Sequence, residues 1–167
     1  GALDAARSLL ERVVALRPGF AAALGNLGMV YAELGDDGRA IDCYRRALAL
    51  DPTLLETQFN LANAYCRARD SQAARGCLEA LLAQRPFAPA HHLLGSVLAE
   101  VGELEAAVRE LQAAVALQPV FPAAWHLLGR GHAGLGRLPD AIACLHRACQ
   151  QQPDLAEAHN DLGNVLK

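Results

Sequence analysis

The stretch LGNLGMVYAELGDDGRAIDCYRRALALDP, residues 24–52, decides the fold, because variants of it recur down the chain. Its terminal proline belongs to a series, Pro18, Pro52, Pro86, Pro119 and Pro153, spaced by 34, 34, 33 and 34 residues. Leu27-Gly28 follows Pro18 by nine and ten residues, and the same offsets give Leu61-Ala62, Leu128-Gly129 and Leu162-Gly163. After Pro86 the pair Leu94-Gly95 comes one residue early, which accounts for the single shorter interval. Self-similarity at such a period marks a stacked array of small units, not a fold around one central core. Function is therefore sought on a surface.

Each unit carries two amphipathic segments. In the first, Leu24, Leu27, Gly28 and Tyr31 fall at i, i+3, i+4 and i+7, one face of a helix. Gly35 closes that helix, and Asp36 or Asp37 can cap the next. The second helix sets Ala40, Tyr44 and Ala47 on one stripe and stops before Asp51-Pro52. The spacing predicts full repeats over 21–52, 55–86, 88–119 and 122–153, with partial repeats over 3–17 and 156–167. About ten helices result. The glycines of the Leu-Gly pairs and the alanines Ala40, Ala74, Ala107 and Ala141 are expected to let paired helices approach within roughly 8–10 Å.

Composition suits this reading. Apolar residues make up 53% and charged residues 20%, enough to bury a continuous core. Net charge is −3 with no basic stripe, which argues against nucleic acid. No apolar run approaches the roughly 20 residues of a membrane-spanning helix, so no membrane partner is expected. Five cysteines, an odd number without a C-x-x-C pair, favour free thiols and a reducing, cytoplasmic compartment.

Leu-Gly, a tyrosine three residues on, then Ala, an aromatic or Leu, Ala and a closing Pro resembles the tetratricopeptide repeat (TPR), and Trp125-His126-Leu127-Leu128-Gly129 is similar to the opening of that motif. The resemblance covers essentially the whole chain. It implies an all-α fold, a right-handed α-solenoid of stacked antiparallel helix pairs, and a non-catalytic scaffold that binds a protein or extended peptide in the concave groove lined by first helices. Gln58, His91 and His159 depart from the usual large apolar residue, and Arg69 replaces the inter-helix glycine. Phrases such as AEAHNDLGN resemble the repeat arms of O-GlcNAc transferases and of bacterial glycosyltransferase and sulfotransferase proteins. That resemblance would make the chain the substrate-recruiting arm of a larger enzyme.

The face of each first helix not used for packing gives the candidate peptide-binding residues. They are Asn26, Met29 and Glu33; Phe59, Asn60, Asn63 and Arg67; His92 and Ser96; His126 and Arg130; and Asn160 and Asn164. Asparagine amides both donate and accept, so they suit a peptide backbone. Leu93 and Leu127 interrupt the asparagine positions in the middle units. Only Arg67 and Arg130 could serve a carboxylate clamp, and His92, His126 and Arg130 could form a weakly basic patch.

Cys43, Cys77 and Cys144 share one repeat position, where a full repeat separates neighbours, so packing rather than chelation is expected. No nucleophile–histidine–acid order, phosphate loop or zinc signature is present. No cofactor, metal or catalytic residue is expected. The array opens on an unpaired second helix and closes on an unpaired first helix, which suggests a segment of a longer protein or self-association through terminal helices.

Overall fold

The computed structural model describes residues 1–167 as ten α-helices with no strand. They are α1 (Ala2–Leu16), α2 (Ala21–Glu33), α3 (Asp37–Leu50), α4 (Leu55–Arg67), α5 (Ser71–Gln84), α6 (Ala88–Glu100), α7 (Leu104–Leu117), α8 (Pro122–Gly134), α9 (Leu138–Gln151) and α10 (Ala156–Val165). No helix is long and apolar enough to cross a membrane. The chain divides into two compact units, Gly1–Leu81 and Leu82–Lys167.

The turn inside each repeat is built by one device. Gly35, Gly102 and Gly136 have φ of 78°, 83° and 72°, the left-handed region that ends a helix. Arg69 holds the same place at φ 62°, without glycine's freedom. The next residue's N–H returns to the carbonyl five back: Asp36 to Tyr31, Asp70 to Tyr65, Glu103 to Leu98 and Arg137 to His132. These bonds satisfy carbonyls the helix end would otherwise leave unpaired. Of the two candidate caps, Asp36 does the work, its Oδ1 accepting from the Arg39 N–H at 3.0 Å. Asp70 Oδ1 does the same for Ala73. In the later repeats Glu103 and Arg137 stand there and make no side-chain cap.

In the first unit α2 pairs with α3, and α1 and α4 flank them. The core is Val14, Leu24, Leu27, Tyr31, Cys43, Tyr44 and Leu61 with small residues between them. In the second unit α6 pairs with α7 and α8 with α9, while α10 packs on α9. Close approach at the Leu-Gly glycines is real in both. A Cβ on Gly95 would lie 2.6 Å from Leu111 Cγ, and one on Gly129 would lie 2.7 Å from Leu145 Cγ. Gly28 faces the Tyr44 ring in the same way. Gly163 meets nothing within 4 Å, so its place in the motif creates no such contact here. Burying each such leucine or tyrosine contributes about 1.5–3 kcal/mol.

The position occupied by Trp125 has a role that hydropathy does not display. Trp125 Nε1 donates to the Pro119 carbonyl at 2.9 Å, Gln58 Nε2 to the Pro52 carbonyl at 2.7 Å, and His159 Nε2 lies 3.0 Å from the Pro153 carbonyl. Each partner sits six residues earlier. The apparent departures Gln58 and His159 therefore supply the same N–H as the tryptophan. His91 follows the short interval and pairs instead with Glu110 on α7, its Nδ1 2.8 Å from Oε2.

Candidate functional site

Two shallow depressions lie between successive first helices, one in each unit. In the first unit α2 and α4 enclose about 320 Å³, lined by Asn26, Met29, Glu56, Thr57 and Asn60. Asn26 and Met29 are exposed and Asn60 half-buried, so the structure brings these three expected residues together. The floor forms because Gly25 has no side chain: a Cβ there would stand 3.1 Å from Thr57 Oγ1. Gly25 is thus buried in the packing between α2 and α4.

The remaining expected residues of this unit are arranged differently. Asn63 turns its Nδ2 to the carbonyl of Phe59 on its own helix at 3.2 Å. Phe59 is half-buried and Glu33 exposed. Arg67 pairs with Asp37 across α4 and α3 at 2.7 Å, which occupies one of the two cations a carboxylate clamp would need.

In the second unit α8 and α10 enclose about 490 Å³, lined by His126, Arg130, Glu157, Asn160 and Asp161. Asp161 holds the repeat position of Asn26 and Asn60. Its Oδ2 lies 2.8 Å from His126 Nε2 and 3.7 Å from Arg130 Nε. The expected basic patch is therefore offset by a carboxylate at its centre. His92 does not add to it. Its ring lies 4.8 Å from that of Phe121, its Nε2 is buried without a partner, and burial pushes its pKa below the ordinary value. Ser96 is half-buried, and Asn160 and Asn164 are exposed.

None of the five cysteines is joined in a disulfide. Burial pushes the Cys144 thiol up to about 11 and raises Cys43 and Cys77 as well, the reverse of an activated thiolate. No cluster of three or more His, Cys, Asp or Glu has the geometry to hold a metal ion.

Three family models match the chain: tetratricopeptide repeat models over residues 21–54 and 59–119, and a TPR repeat model over 133–167. Among solved structures, that of MamA is similar with a TM-score of 0.86 and 25% identity, covering 93% of this chain and 91% of that one. A thermophilic TPR protein of Thermus thermophilus is 26% identical with a TM-score of 0.73, covering 98% and 90%. YrrB, described as a TPR protein with an unusual peptide-binding site, is 23% identical with a TM-score of 0.81, covering 93% and 81%. No curated protein sequence matches.

Proposed function

We propose, on the premise that this chain is an array of tetratricopeptide repeats, that it is a non-catalytic scaffold holding an extended peptide or protein segment against its first helices. The observation that carries the reading is the depression between α2 and α4, which Asn26, Asn60 and the exposed Met29 line together. Two amides one repeat apart can pair with a peptide backbone in both senses, while methionine adapts to a neighbouring apolar side chain. The peptide-binding site named for YrrB fits this reading. The α8–α10 depression offers charge of both signs, from Arg130 and from Asp161 and Glu157, and serves as a second contact. A recruiting arm of a transferase would use the same face, and that version rests on the sequence phrases alone.

Asn26→Ala with Asn60→Ala tests the assignment. Both side chains lie outside the core, so the helical circular dichroism signal should persist. Crosslinking and pull-down from the source cell supply the native partner. Its affinity should fall about tenfold, the loss of two hydrogen bonds of roughly 0.5–1.5 kcal/mol each partly replaced by water. Unchanged affinity would show that the partner binds elsewhere.

A further inference from the structure

The two units treat one interior position differently. In the first unit Tyr31 of α2 donates its hydroxyl to Glu11 Oε1 of α1 at 2.7 Å, and the Arg39 guanidinium of α3 lies 4.6 Å from the centre of its ring. The phenol is thus clasped from both neighbouring second helices and is buried. Counting from the repeat prolines, the equivalents in the second unit are His132 on α8, Gln112 on α7 and Asp140 on α9. All three members of the clasp have changed.

The replacements do not rebuild it. His132 is only 6% exposed, and its Nδ1 is buried with no hydrogen-bond partner. An imidazole is shorter than a phenol, and a depression of about 490 Å³ stands at this place, lined by His132, Gln112 and Asp140 together. Val115 and Leu128 give it an apolar floor, and one wall is Trp125 with the Arg147 guanidinium 4.5 Å from its ring centre. An unpaired buried nitrogen costs about 1–3 kcal/mol, so the exchange of tyrosine for histidine is not compensated within the chain.

We infer that this depression on the α7–α9 side of the second unit binds a phenol, presented as the tyrosine side chain of a partner protein. The first unit displays the ligand chemistry: an aromatic ring between two second helices with its hydroxyl held by a polar side chain. The second unit keeps the apolar floor and offers acceptors at Asp140 and Gln112, with a shorter imidazole at the ring's position and a depression beside it. This surface is separate from the first-helix depressions, so it stands or falls independently of the peptide site proposed above.

Trp125 is the chain's one tryptophan and lines the depression, so its indole N–H resonance reports occupancy. The 167-residue chain is titrated with N-acetyl-tyrosinamide and, separately, N-acetyl-phenylalaninamide. The expected result is a saturable shift with the tyrosine derivative and about fivefold weaker binding of the phenylalanine derivative, the worth of one hydroxyl hydrogen bond. His132→Tyr should restore the repeat's own phenol and abolish the shift. Asp140→Ala combined with Gln112→Ala keeps the space, removes both acceptors, and should bring the two derivatives to similar affinity. No saturable shift with the parent chain, equal affinity for both derivatives, or undiminished binding by a folded His132→Tyr variant would each overturn the inference. Should His132→Tyr not fold, the comparison with the Asp140→Ala, Gln112→Ala double variant decides alone, and a retained fivefold preference would overturn it.

Discussion

Replacing Gly129 and Gly163 by alanine should have opposite effects, although both occupy the same repeat position. A methyl on Gly129 would stand 2.7 Å from Leu145 Cγ, 3.0 Å from its Cδ2 and 3.2 Å from the Ala141 carbonyl. Carbon atoms prefer about 3.5–4.0 Å. Leu145 is fully buried and the carbonyl is backbone, so neither moves aside easily. Overpacking of this kind costs about 1–3 kcal/mol, and alanine's better helix propensity returns up to about 1 kcal/mol. The net loss is about 1–2 kcal/mol. At Gly163 the methyl meets nothing, and only the propensity gain remains, about 0.5 kcal/mol so near the end of α10. Because stability in a repeat array is shared between neighbours, native-state hydrogen exchange of α8 and α9 is the suitable assay. Gly129→Ala should raise local opening by roughly tenfold, and Gly163→Ala should slow exchange in α10 slightly. Unchanged protection in Gly129→Ala, or faster exchange in Gly163→Ala, would refute the packing argument.

Arg69→Gly should stabilise the first unit by about 0.5–1 kcal/mol, since relief of a left-handed φ outweighs glycine's extra entropy; a urea midpoint below that of the parent would contradict this. Trp125→Phe should cost only about 0.5 kcal/mol beyond its lost area, since Gln151 Nε2 still donates to the Pro119 carbonyl at 2.7 Å, and Trp125→Gln should recover part of that, as Gln58 does in its own repeat. Alkaline pH should destabilise the fold. Tyr44 is pushed up to about 12 from 10.0 and Cys144 to about 11 from 9.0, both by burial. The folded state therefore holds these protons longer than the unfolded chain does, so stability is intact below about pH 9 and falls through about pH 9–12. The thiol accounts for on the order of 2 kcal/mol of the loss. Thermal melts of Cys144→Ala should show a flatter decline from pH 9 to 11, and an identical slope would remove the thiol from the account.

The helices are legible in the sequence because their boundaries are written in residues with strong backbone consequences. Gly35, Gly102 and Gly136 end first helices, the prolines follow second helices, and leucine and alanine at helical spacing mark the buried stripe. Periodicity reports hydrophobicity, however, and says little about hydrogen-bond donors. Gln58 and His159 thus read as departures when they conserve a donated N–H. Faces of a single helix are also an incomplete guide to display. Gly25 lies on the face of α2 turned from α3, yet the next first helix covers it through Thr57. Asn60 and Asn63 look alike in sequence, but only Asn60 lines the depression, while Asn63 is drawn to its own backbone. The pairing of Asp161 with His126 and Arg130 was equally hidden, because it spans two first helices.

The carbonyl of the repeat proline is an anchor that reads one atom rather than one amino acid. An indole, a carboxamide and an imidazole all satisfy it at 2.7–3.0 Å. A chain that grows by duplicating such units can therefore let this position drift among unrelated side chains, so long as a nitrogen arrives at the same point. What it tolerates poorly is a change of length. The one repeat that lost a residue moved its histidine off the anchor and had to recruit Glu110 from the adjoining helix. Substitution is absorbed locally, whereas a deletion spreads its correction to the next element.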